Sequence, residues 1–189
     1  MSWRKDLSKS NQSIISNKEY LESLFKGSLL TIEEKNDELY TLFDRVAGFD
    51  WLLTKEEGIY GVATRVQWGQ NWGTFTVRFK RDSGTKTEYQ KRIEQIENGA
   101  LFPAYTMQMY CDDKDRFPML SIGVCKTKDL FEYIEKNPIR RRRTGNAEFM
   151  YVNWQRFESS GYNIFTKVFL PKLPVSIMTI PKKYIAPTG

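Results

Sequence analysis

Apolar and polar positions alternate with a period of two along three stretches in the middle third of the chain, which predicts extended strands. Over residues 59–68, Ala63, Arg65 and Gln67 share one side, and Val62, Thr64, Val66 and Trp68 share the other. Over residues 74–80, Phe75, Val77 and Phe79 oppose Thr76, Arg78 and Lys80. Over residues 104–111, Met107, Met109 and Cys111 oppose Thr106, Gln108 and Tyr110. Each strand therefore joins an apolar side to a side of Arg, Gln, Thr and Tyr. Such a polar row is either the wet face of an antiparallel sheet or the floor of a site that handles something charged.

Elsewhere the apolar spacing lengthens to that of a helix. Residues 17–26 place Tyr20, Leu21, Leu24 and Phe25 on one side, ahead of Gly27. Thr31 and Glu34 form a capping box that opens a second helix, with Leu39, Leu42, Phe43 and Val46 as its stripe and Gly48 as its stop. Further helices are expected at 87–98, with Tyr89, Ile93 and Ile96 inward, and at 127–136, stopped by Pro138. Further strands are expected at 49–54, 119–126 and 148–154, whereas the polar residues 1–15 are expected to fray or to begin a helix late. The order helix, three antiparallel strands, helix, two strands, helix predicts an α+β fold: a central, mainly antiparallel or mixed sheet with helices on its apolar side. The domain reading is an N-terminal helical or flexible segment (1–30), an α/β core (31–136) and a basic, Pro-punctuated C-terminal extension packing on the core (137–189).

At 189 residues, 40% hydrophobic and 14% aromatic, the chain can bury one sizeable core, which argues against wholesale disorder. No apolar run approaches the ~18 residues of a membrane span, and the N-terminal residues lack the apolar stretch of a secretory signal. Cys111 and Cys125 fall in apolar runs and read as buried free thiols, which points to the cytoplasm. The absence of histidine excludes Ser-His-Asp and Cys-His catalysis and histidine-bound zinc. The net charge of +6 is unevenly placed, because the residues from Lys136 onward hold ten Lys/Arg and two Asp/Glu, a balance of +8 against −2 for the first 135 residues. That step predicts a polyanionic partner: nucleic acid, an acidic protein or an anionic surface.

The order of elements over residues 33–136, with Gly48-Phe49-Asp50-Trp51 at the first core strand, resembles the PD-(D/E)xK superfamily, the restriction-endonuclease-like nucleases. The resemblance implies a Mg²⁺-dependent nuclease in which an Asp opening one strand and a Glu-x-Lys or Gln-x-Lys on the next hold the metal and position the attacking water. Asp50 takes the Asp position, and Arg65 stands where the lysine stands. The acidic position two residues before Arg65 is Ala63, a departure from the pattern, while Gln67 lies one step further along the same side. Glu88 and Lys91, three apart on the following helix, offer the acid from there, and Glu34 or Glu38 offers a further one. The implied catalytic set is Asp50, Arg65, Gln67, Glu88 and Lys91, with Asp50 and Glu88 as metal ligands and Arg65 or Lys91 steadying the scissile phosphate.

The expected nucleic-acid contacts are Arg78, Lys80 and Gln108 from the polar rows and the four consecutive arginines Arg140, Arg141, Arg142 and Arg143, because guanidinium forks match phosphate oxygens. Trp72, in the turn at 69–73, is expected to be exposed and able to stack on bases. Each of these has a blander alternative: Asp50 as a locally bonded turn residue, the polar rows and the arginine run as solvated surface. The reading is a nucleic-acid-binding protein with a nuclease-like core, either a Mg²⁺-dependent phosphodiesterase or an inactive relative of one. The rival is a non-enzymatic interaction factor, an inhibitor or assembly subunit such as a phage or mobile-element anti-defence protein, using its basic arm on an acidic partner.

Overall fold

The computed structural model describes residues 3–32, 41–113 and 117–169. The fold is α+β, but the strands form two sheets. The first has six strands in the order β1 (Ser28–Thr31), β2 (Trp51–Lys55), β3 (Gly58–Trp68), β5 (Tyr105–Cys111), β6 (Met119–Lys126) and β9 (Ile164–Val168). All its neighbours are antiparallel except β3 and β5, which run parallel. The second sheet is antiparallel, in the order β4 (Thr74–Arg81), β8 (Ala147–Asn153), β7 (Arg140–Thr144).

The expected three-strand meander is thus corrected. Parallel pairing of β3 with β5 needs a long crossover, and β4 with helix α3 (Glu88–Glu97) is that crossover. It carries the apolar side of β4 into a second layer, where Phe75 and Val77 are fully covered. Residues 140–168 contribute to both sheets: β8 is the central strand of the second sheet, and β9 closes the first. Residues 170–189, with the remaining prolines, lie outside the described residues.

Helix α1 (Trp3–Ser16) is regular where fraying was expected, and it docks Ile14 in the core. Helix α2 (Lys18–Phe25) buries Leu21 and Phe25 as its spacing predicts, and Lys26 at φ 51 ends it by donating its amide to the Glu22 and Ser23 carbonyls. Thr31, expected to open the second helix, is the last residue of β1. It pairs with Trp51 at the end of β1, and Glu34, Glu38 and Leu39 lie outside the described residues. From Thr41 to Ala47 the chain makes a π-helical turn. Leu42 and Val46 of the expected stripe are exposed, at 43% and 56%, and Phe43 stacks on Phe49.

Two cores result. The first lies between α1, α2 and one face of the six-stranded sheet, where Val62, Val66, Met107, Met109 and Ile122 meet Ile14, Leu21 and Phe25. The second joins the three-stranded sheet to α4 (Thr127–Lys136) and α5 (Trp154–Ser159), and it also takes Tyr110 and Cys125 from the opposite face of the first sheet. β5 and β6 are therefore covered on both faces, and five consecutive residues of each are buried. Gly123 makes this possible, since a Cβ there would come within 2.5 Å of the Trp154 ring. Trp154 is accordingly a core residue. Both cysteines are free and buried, and burial pushes the Cys111 thiol up to about 11 and that of Cys125 well above its usual range. No described helix is long and apolar enough to cross a membrane.

Candidate anion-binding site

The second layer covers β5 and β6 but stops short of β3. There the polar row is neither solvated nor sealed. Arg65 and Gln108, opposed across the parallel β3–β5 pair, form the floor of a cavity of about 340 Å³ between the two sheets. β4 supplies Thr76, Arg78 and Arg81 as one wall, and α3 supplies Glu88, Lys91 and Arg92 as another. Lys86 from the loop before α3, and Gly48 and Asp50 from the segment after the π-helical turn, complete the rim. Six cationic side chains thus meet two carboxylates.

Local rules explain why these residues arrive together. Thr87 caps α3 reciprocally with Gln90, so the helix starts at Glu88 directly beside β4. Arg92, one turn later, is 5% exposed, and its Nη1 donates to the Ala47 carbonyl at 2.7 Å and to Gln95 Oε1 at 2.7 Å. Gln95 Nε2 donates to the Val46 carbonyl at 2.6 Å, so α3 caps the last carbonyls of the π-helical turn from outside. Gly48 sits at φ +71, and a Cβ there would lie 2.8 Å from Arg92 Nη2. Burial pushes the Arg92 guanidinium down to about 10, against the pull of Glu88 and Asp50.

Both carboxylates are already engaged. Arg65 Nη2 donates to Glu88 Oε2 at 2.7 Å, and the Arg78 amide donates to the same oxygen at 3.3 Å. Asp50 Oδ2 accepts from the Thr64 amide at 2.5 Å and from Thr64 Oγ1 at 3.3 Å. Arg78, Arg81 and Lys91, by contrast, form no ion pair among the described residues. Arg78 is pushed down by burial first and then by the like charges of Arg65 and Arg81, with Glu88 only partly offsetting them. Below them Gln108, 1% exposed, accepts from the Thr76 amide through Oε1 at 3.3 Å, while its enclosed Nε2 has no partner among the described residues. The cavity therefore gathers positive charge that an anion would offset.

The donor set fits a divalent cation poorly. Asp50 and Glu88 are the only cavity carboxylates among the described residues, no group of three potential ligands forms there, and the ion pair with Arg65 competes for Glu88. Glu34 and Glu38 lie outside the described residues.

Of the expected catalytic set, Asp50, Arg65, Glu88 and Lys91 converge here, together with Arg78 and Gln108. Gln67 does not. It lines a second cavity of about 480 Å³ with Trp72, Tyr151, Arg140, Arg142 and Arg156, and its Oε1 is enclosed without a partner among the described residues. Lys80 lines neither cavity, because a β-bulge between Arg78 and Lys80 breaks the alternation and brings Arg81 to the cavity wall. The arginine run is a strand, so it splits two and two. Arg140 and Arg142 face the second cavity, Arg141 lies 3.8 Å over the Phe79 ring, and Arg143 pairs with Asp82 at 2.5 Å. Trp72 is exposed at 57%, as its turn predicts. Sequence reasoning missed Arg81, Lys86, Arg92 and Arg156. For Arg92 a signal existed, since it follows Glu88 by one helical turn.

No protein-family model, curated protein or solved structure matches this chain.

Proposed function

We propose that this protein binds nucleic acid by its sugar–phosphate backbone, with a phosphate seated in the cavity between the sheets, and that it binds without cutting. The observation that carries this reading is the imbalance at that cavity: six cationic side chains line it against two carboxylates, both of which already accept hydrogen bonds from the protein, and among the described residues Arg65 is ion-paired to Glu88 and Lys86 to Glu94, while Arg78, Arg81, Lys91 and Arg92 are not ion-paired. Guanidinium groups held partly or wholly buried, with the exposed ammonium groups of Lys86 and Lys91 at the rim, suit phosphate oxygens, which offer several acceptors and a negative charge at once. The uneven charge of the chain suits the same partner, because Arg140 and Arg142 extend the positive surface beyond the cavity. The two buried free thiols suit a reducing, cytoplasmic setting.

The metal-dependent version requires Asp50 and Glu88 to share one ion, and Glu88 would first have to leave Arg65. A fluorescent oligonucleotide incubated with Mg²⁺ or Mn²⁺ tests this directly. The expected outcome is salt-sensitive binding with no cleavage product. Metal-dependent cleavage that vanishes in Asp50→Ala would overturn the non-cutting reading and restore the nuclease assignment.

A second reading has its own support. β7 is an edge strand of the three-stranded sheet, its residues are exposed, and it is built almost wholly of arginine. An extended acidic segment of a partner protein, as met by an inhibitor or an assembly subunit of a phage or mobile element, would suit that edge. Binding to acidic polypeptides but to no nucleic acid at low salt would put this reading first.

A further inference from the structure

We propose that the nucleic acid is single-stranded, and that an unstacked base enters the second cavity while the neighbouring backbone occupies the first. This inference rests on the reading above and adds the class of nucleic acid.

The register of the three-stranded sheet carries it. Arg78 pairs with Phe149, and Phe149 with Arg142, while Thr76 pairs with Tyr151, and Tyr151 with Arg140. Residues directly opposite one another across strands share a face. One face of this sheet is therefore ruled by two rows, Arg78–Phe149–Arg142 and Thr76–Tyr151–Arg140, in which an aromatic ring lies beside or between cations. The other face is occupied, since Phe75, Val77, Met150 and Val152 are buried in the second core.

The two cavities draw on this one face. The first takes Thr76 and Arg78 from it, and the second takes Tyr151, Arg140 and Arg142. Phe149 bridges them, with the guanidinium carbons of Arg65 and Arg78 at 5.6 and 5.4 Å from its ring centre. The cavities differ in the way a nucleotide does. The first is lined by cations with no aromatic ring, whereas the second adds Trp72, Tyr133 and Tyr151 to its arginines. Its volume of about 480 Å³ lies within the range of small-molecule sites, roughly 300–1,000 Å³.

A duplex can engage the cations of such a surface but not its rings, because its bases are stacked inside and only their edges reach the grooves. A single strand presents ring faces and phosphates on the same short length of chain, and rings interleaved with cations are what it stacks and pairs on. Trp72 holds an exposed ring at the mouth of the turn between β3 and β4, so its removal leaves the fold intact while deleting a stacking surface.

The test is fluorescence anisotropy at low salt with labelled oligo-dT, oligo-U and a mixed-sequence DNA duplex of equal length. Wild type is compared with Trp72→Ala, Tyr151→Leu and Arg78→Ala, each checked for folding by circular dichroism. The expected result is that either single strand binds at least about tenfold more tightly than the duplex. Trp72→Ala and Tyr151→Leu each weaken single-strand binding by about fivefold or more without changing duplex binding, whereas Arg78→Ala weakens both. Equal or tighter duplex binding, or full single-strand affinity in both aromatic variants, would overturn the single-strand proposal and leave the backbone-binding reading standing. No salt-sensitive binding to any of the three probes would overturn both.

Discussion

The two faces of the six-stranded sheet begin from the same strands and end in opposite environments. On one, Val62, Val66, Met107 and Met109 are sealed by Ile14 and Leu21 from the N-terminal helices. On the other, the alternate residues Arg65 and Gln108 floor a cavity that the second layer leaves unfilled. The sealed face stabilises the fold, at about 1.5–3 kcal/mol for each large side chain taken out of water. The cavity face works against it, because burial pushes the Arg78 and Arg92 guanidinium groups down, and like-charge neighbours add to this at Arg78. Phe79 and Phe149 show that large apolar side chains are at hand on the adjoining strands, yet cations line the void. Charge kept where it costs stability is what the proposed phosphate ligand would account for at Arg78, whereas Arg92 also caps the π-helical turn.

The comparison makes predictions that separate stability from binding. The largest effect belongs to the sealed face. Met109→Ala is expected to lower unfolding free energy by about 2–5 kcal/mol in urea titration while the folded fraction keeps its nucleic-acid affinity. A matching loss of affinity would show that the faces are not independent. Next comes the cavity wall: Gly48→Ala, at φ +71 and with Arg92 Nη2 2.8 Å from the new Cβ, is expected to cost about 1–3 kcal/mol and also to weaken binding.

A third effect is confined to alkaline pH. The Cys111 thiol is raised in the folded state from its ordinary 9.0 to about 11 by burial. The unfolded chain therefore releases this proton first, so the contribution is fully present below pH 9 and declines between about 9 and 11. Urea midpoints measured across that window should fall less steeply in Cys111→Ala, and identical slopes would contradict the assignment. The smallest effect lies within a single strand. Arg142→Ala is expected to reduce the slope of log affinity against log salt by about 0.7 on a single strand, whereas Arg143→Ala, whose partner is Asp82, leaves it nearly unchanged.

Much of the site was legible because strand alternation is local. Arg65, Arg78 and Gln108 can be picked out by period, Asp50, Glu88 and Lys91 entered as positions a family resemblance implies, and all six reach one cavity. What the pattern could not carry was pairing. Nothing near β4 in sequence indicates that its partner is β8, some seventy residues on, so the meander was the natural expectation. Gln67 shares the row of Arg65, yet two residues along a strand advance about 7 Å, enough to pass from one cavity to the next. The four arginines read as one basic patch until their strand geometry separates them, two toward the second cavity, one onto Phe79 and one onto Asp82. The spacing of Arg92 from Glu88 was legible, but its burial was not, because a helical arginine ordinarily reads as solvated. Its burial depends on the π-helical turn that it caps.

The central claim, that the void between the sheets receives a phosphate, is tested most directly by the salt dependence of oligonucleotide affinity in wild type and in the Arg78→Ala/Lys91→Ala double variant. The account predicts wild-type binding that falls steeply with salt, and a slope smaller by about 1–2 in the variant with its fold intact. A variant that retains the wild-type slope and affinity would contradict it.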